Sequence, residues 1–384
     1  MANFEERGTR GDGRGDRERG DRGGRSGNRD GRGERRPSRD EMREQRRREA
    51  ARHTGLMKAA FGKETEEAIE GVRIYEEGEG RTLLWGAAAV EAAKAAAAMA
   101  EADADGALTG NEEAREEAAL AEEAAQVAEA GAGDEGAAGD DAASAPTATE
   151  TATRVVTSFA PEALYRDGEG KTLIVDPGAF TRPGGAYEDG AFGPEQILCS
   201  ESNLYPVLCA KKRDFYDKNR DYRRGSLFTD RALYVPEVLF SRDGDVRRAD
   251  VLVIAEPIRA YALENHRSER ECDKALADRI ETIFRIAAAN GAQTLIMGAF
   301  GCGRNGYPVD QVIGLVRDWI AANPGAVPRV VFTVPRAYVD AFREAFGTPE
   351  PLRPAVAEEP EEEGAHEDDE DWRDIELPEG ITLR

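Results

Sequence analysis

The chain has 384 residues, 52 Lys and Arg against 76 Asp and Glu, and a formal net charge of −24. No run of apolar residues is long enough to cross a bilayer, and the opening MANFEERGTRGDGRGDRERG lacks the apolar stretch of a secretory signal. The four cysteines (Cys199, Cys209, Cys272 and Cys302) show no paired spacing, and only His53, His266 and His366 accompany them. This argues against bound zinc or any other metal and for a reducing, cytoplasmic setting.

The charge is uneven along the chain. Residues 1–40 are mostly Arg, Gly, Asp, Glu and Ser, too poor in apolar surface to offset chain entropy, so a disordered tail is expected. An Arg/Gly-rich arm suits contact with nucleic acid, but its interleaved acids and lack of aromatics favour a solvated tail. Residues 41–85 open with a charged helix, RDEMREQRRREAARHTGLMKAAFG, started by Pro37-Ser38-Arg39-Asp40 and stopped by Gly62, followed by a short strand at Val72–Tyr75. Residues 86–150 collapse to Ala, Glu, Gly, Asp and Ser and read as an acidic low-complexity insertion.

Residues 151–349 are the folded core. Strands are expected at 171–176, 249–257, 293–300 and 328–335, each bounded by Asp, Pro or Gly. Helical spacing runs from Ser268, where Ser268 and Glu271 form a capping-box pattern, to Asn290-Gly291, and again from Pro308 through Trp319. PEQILCSESNLYPVL (194–208) also has helical spacing, whereas 215–238 fits no pattern and His266 has the place of a surface or capping histidine. Strand–helix alternation implies an α/β fold, a sheet covered by helices. The remainder, 350–384, is an acidic tail expected to be disordered.

In open α/β sheets, ligands bind at the carboxyl ends of strands. Two glycine-rich segments have that place. GAFGCGRNGYP (298–308) follows a strand and precedes a helix; its glycines free the backbone, its N–H groups can converge on an anion, and Arg304 offers a charge. Its letters fit GxGxxG, but no following acid is available for a ribose, so that match is weak. The second segment, Asp176–Gly193, brings Asp176, Glu188 and Asp189, with Glu195 and Glu201 just beyond. Glu195 falls in the first turn after Pro194, a favourable N1 residue.

Gly184-Gly185-Ala186, then Pro194-Glu195-Gln196-Ile197-Leu198-Cys199 and Ser202-Asn203-Leu204-Tyr205-Pro206, resembles the bacterial-type poly(ADP-ribose) glycohydrolase family. Its signature is a Gly-Gly-Gly loop followed by Gln-Glu-Glu, and GAFGCGRNGYP is similar to its diphosphate-binding loop. The resemblance implies a three-layer α/β/α macrodomain-like mixed sheet. It also implies a monomeric protein that binds ADP-ribose or an ADP-ribosylated protein or polymer, with no cofactor, metal or membrane. Pro183, Gly184, Gly185 and Ala186 would line the diphosphate and ribose; Gly301, Cys302, Gly303, Arg304, Asn305 and Gly306 would cradle phosphate, with Phe300 packing on the sugar. This sequence departs from the family at four places: Ala186 replaces a glycine, Pro194 the Gln and Gln196 the catalytic Glu, while Asp176-Pro177-Gly178-Ala179 replaces Asn-Phe-Ala-Asn. Glu195 is then the catalytic candidate, with Asp176 and Gln196 beside the ligand; Glu188, Asp189 and Glu201 have nothing that fixes their direction. Without the second Glu, a non-catalytic ADP-ribose reader or an interaction scaffold is the alternative.

Overall fold

The structure, a computed structural model, describes residues 37–86, 88 and 150–347. The expectations for both tails and for nearly all of the acidic insertion lie outside the described residues. The first helix, α1 (Arg39–Ala60), carries Asp40 and Glu41 in its first turn and Lys58 in its last, each sign facing the helix end that favours it. Gly62 does not stop the helical path but opens α2 (Gly62–Glu70). The reason is that helical bonds continue across Phe61, whose N–H donates to Met57 O and whose carbonyl accepts from Thr65 N.

β1 (Arg73–Tyr75), β2 (Ala152–Val156), α3 (Ala160–Asp167) and β3 (Thr172–Asp176) follow. The expected helix 194–208 is two short ones, α4 (Pro194–Ser200) and α5 (Leu204–Ala210). The chain breaks between them because Ser202 bridges to Phe240, while Asn203 exchanges hydrogen bonds with Leu239. The segment without a pattern becomes a run of π and 3-10 turns, 212–226, and then a long strand, β4 (Ala232–Arg242). β5 (Asp245–Ile254), α6 (Arg259–Glu264), α7 (Glu269–Ala289), β6 (Thr294–Gly298), α8 (Val309–Ala322), β7 (Arg329–Thr333) and α9 (Arg336–Phe346) complete the described core. The capping box of α7 forms in full: Glu271 N donates to Ser268 Oγ and Ser268 N to Glu271 Oε2.

The seven strands make one mixed sheet in the order β1-β4-β5-β3-β6-β7-β2. β4 is antiparallel to β1 and β5, and every pairing from β5 to β2 is parallel. Alternation along the strands sorts the core into two layers. Leu173, Val175, Leu252, Leu295 and Val330 pack on one face with Ile280, Phe284 and Val316 of α7 and α8. Ile174, Val251, Ile296 and Val331 pack on the other with Leu164, Leu198 and Leu208 of α3, α4 and α5. Each such side chain, fully buried, contributes about 1.5–3 kcal/mol relative to exposure. The architecture is thus the expected α/β/α sandwich.

Candidate functional site

β5, β3 and β6 are adjacent and parallel, so their carboxyl ends open on one edge of the sheet. β3 ends at Asp176, which is completely buried, and the chain runs from it through the glycine segment into α4. β5 leads into Ala255-Glu256, and β6 into the turn 299–306 that feeds α8.

The glycine segment is bent as its composition suggests. Gly184 and Gly185 take φ of 62° and 61°, the left-handed region where a Cβ is strained. A Cβ on Gly184 would lie 2.7 Å from the Tyr205 ring, and one on Gly185 would lie 2.5 Å from Gln196 Nε2 and 2.8 Å from Glu195 Oε2. Ala186 has φ −121°, so a side chain in place of the third glycine costs no torsional strain. Gln196 donates from Nε2 to Gly184 O at 3.1 Å and so ties α4 to the loop. Pro183 is half-buried at the loop's entry.

Glu195 projects from the first turn of α4 into this loop and is 5% exposed. Its Oε2 accepts from Ala179 N at 3.0 Å, and its Oε1 is buried without a partner. Burial, and then the charge of Asp176, push its carboxyl well above the usual carboxylate range; the backbone N–H groups of Ala179, Gly185 and Gly184 pull the other way. Asp176 is pushed up to about 8 by burial and then by Glu256, and both of its carboxylate oxygens lack partners. Glu256 accepts from Gly301 N at 2.7 Å and from the Asn305 amide, and burial raises it to about 7 against those bonds. Three buried acids that act on one another therefore lie between the two glycine-rich turns: Glu195 beside Gly185, then Asp176, then Glu256 bonded to Gly301 N.

The second turn also uses its glycines. Gly301, Gly303 and Gly306 have φ of 83°, 68° and 85°. Gly303, Arg304 and Asn305 form one 3-10 turn, whose leading N–H groups have no partner within the turn. Arg304 is exposed, and its charge lowers the pKa of Glu256. Cys302 is half-buried, its thiol pushed up to about 12 by burial and then by Glu256. Phe300 is 2% exposed and belongs to the apolar layer shared with α7, so its ring supports the turn from the core.

The other acids stand apart. Glu188 and Asp189 pair with Arg182, and Glu188 also accepts from Tyr205 OH; Glu201 lies 4.0 Å from Arg242. His266 is exposed. Sequence reasoning missed Glu256, Gly178 and Tyr216. Glu256 was findable: it ends an expected strand, beside Pro257, on the ligand edge. Tyr216 was not, because only the fold carries its buried, unpartnered hydroxyl to the acids, whose charges raise its pKa after burial. Among the described residues, no cluster of His, Cys, Asp or Glu is arranged to hold a metal ion.

A small hollow adjoins the site through Gln196, on the side of α1. Arg46 lies over the Phe192 ring there, and His53, lowered to about 4 by burial, meets Tyr187 OH at 3.3 Å.

Residues 53–243 match the model of the microbial-type PARG catalytic domain. Over those residues, just under half of the chain, the sequence resembles that family. The match ends before the second glycine-rich turn, which rests on the fold. The chain is similar to the solved poly(ADP-ribose) glycohydrolase from Thermomonospora curvata, with a TM-score of 0.52 and 20% identity over 75% of this chain and 93% of that one. A structure of the T. curvata enzyme bound to the inhibitor ADP-HPD gives 0.51 and 19%, over 79% and 98%. The enzyme from Deinococcus radiodurans in complex with ADP-ribose gives 0.51 and 18%, over 73% and 96%. At such identities the likeness is one of fold, a macrodomain-like α/β/α sandwich. No curated protein matches the chain. No described helix is long and apolar enough to cross a membrane.

Proposed function

We propose that this protein binds ADP-ribose along the carboxyl edge of β5, β3 and β6 and cleaves an O-glycosidic ribose bond of ADP-ribosylated protein or polymer, in a cytoplasmic setting. The supporting observation is the position of Glu195: a buried carboxyl with one orphan oxygen, beside the glycine loop and linked through Asp176 and Glu256 to the second turn. In this reading the two turns hold the diphosphate, and Glu195 protonates the leaving ribose oxygen as an oxocarbenium-like centre forms. A raised pKa suits that role, because a general acid must carry its proton near working pH.

A second reading, a reader without catalysis, has its own support. The resemblance puts the catalytic acid at position 196, and Gln196 here is an amide bonded to Gly184 O, which cannot give a proton. Two measurements separate the readings. Calorimetry with ADP-ribose should show binding, and its absence at millimolar ligand rejects both. Release of free ADP-ribose from modified protein should fall about 100-fold or more in Glu195→Gln; wild-type protein that binds but releases nothing is a reader.

A further inference from the structure

Position 176 exchanges an amide for an acid relative to the family resemblance, and position 196 exchanges an acid for an amide. The number of carboxyls near the loop is preserved, but one has moved from the helix to the end of the strand. The structure shows where it goes. Asp176 and Glu195 both come up to Gly178: a Cβ on that glycine would lie 3.4 Å from Glu195 Oε1 and 3.7 Å from Asp176 Oδ2. Those two oxygens lack hydrogen-bond partners, and both side chains are buried.

The groups acting on the pair come from every element around it. They are Cys199 from α4, Tyr216 from the π-helical segment and Glu256 after β5, with the N–H groups of Ala179, Gly184 and Gly185. A thiol, a phenol and a third acid supply no cation. Two carboxylates stripped of water and lacking a counter-charge cannot both ionise, so one proton stays with them.

We infer that Asp176 and Glu195 work as one acid, coupled across Gly178 so that at least one proton stays between them, and that Glu195 delivers this proton to the leaving oxygen. The inference rests on the proposed hydrolysis. As the bond between the anomeric carbon and oxygen breaks, its electron pair goes to the oxygen, which takes the proton from Glu195. Water then adds to the anomeric carbon, and the proton it loses returns to Glu195. One water is consumed, and the pair ends as it began. Asp176 is a positioning residue: once ionised, it keeps the proton on Glu195 through its charge, and it touches no reacting atom.

Asp176→Asn tests this while keeping shape. In ligand-free full-length protein, infrared titration of the protonated carboxyl band should show its loss in the variant at a pH lower by about one unit or more than in wild type. The alkaline limb of ADP-ribose release should move down by the same amount, with the ADP-ribose Kd at pH 5 within about threefold. If the variant does not fold, Glu195→Gln gives the reciprocal titration, in which the band of Asp176 moves down. Unmoved midpoints, or no protonated band in wild type above pH 5, overturn the shared proton. A moved band with an unmoved rate profile overturns its use in the reaction. Both outcomes leave ADP-ribose binding intact, whereas failure of wild type to bind ADP-ribose removes the underlying reading instead.

Discussion

At the scale of single residues, the site depends on where a side chain is forbidden and where a charge is confined. Gly185 combines a left-handed backbone with a Cβ position inside the Glu195 and Gln196 side chains. Gly185→Ala should therefore cost about 1–2 kcal/mol in torsional strain alone and weaken ADP-ribose by about tenfold or more, read by calorimetry. Ala186→Gly should leave affinity unchanged, because position 186 already holds an ordinary torsion; it lowers stability by at most about 1 kcal/mol through the unfolded chain. Asp176 gives a prediction for stability. Its folded pKa, about 8, lies above that of the unfolded chain, so its contribution is fully present below about pH 4 and is lost as pH rises to about 8. Asp176→Asn escapes that loss. Its melting temperature should draw ahead of wild type between pH 4 and 8 and hold the lead above 8, a difference on the order of several kcal/mol. A lead that shrinks with rising pH contradicts the assignment.

At the scale of elements, sequence legibility followed burial. β3, β6 and β7 are buried on both faces, so they read as short apolar runs. β4 does not. It contains Pro236, which argues against a strand, and Glu237 at φ 55°; the ladder accommodates both with a register shift between Val235 and Val238. The order of the strands was not legible either, and the approach of Glu256 to Asp176 depends on it, through the parallel pairing of β3 with β5. The glycine turns were legible as sharply bent backbone because their composition frees the torsions. Their present occupants were not: Gly301 N is directed at the Glu256 carboxylate. That occupancy predicts a proton-linked affinity. Glu256 ionises near pH 7, and above that pH its charge opposes a diphosphate at the same turn. The ADP-ribose Kd of wild type should rise between pH 6 and 8, and Glu256→Gln should reduce that rise. Equal pH dependence in the two proteins would remove Glu256 from the binding equilibrium.

At the scale of the whole molecule, the question is what the acidic block between the first strand and the other six contributes. β1 and β2, which flank it in sequence, lie at opposite edges of a seven-stranded sheet. The connection must therefore cover six strand spacings, roughly 29 Å at about 4.8 Å each. Part of that route is visible: Gly80 packs on Thr282 and Ile286 of α7, and Trp85 packs on Trp319 of α8 at 5.8 Å. At about 3.3 Å per extended residue, a dozen residues reach farther than the whole width of the sheet. Replacing residues 89–149 by a Gly/Ser linker of about 15 residues should then leave both edge strands paired. The melting temperature should stay within a few degrees and ADP-ribose affinity within about twofold, since loop closure varies only slowly with length. Loss of ADP-ribose binding with this linker, in a protein that melts normally, would show that the block takes part in the site and not only in the connection.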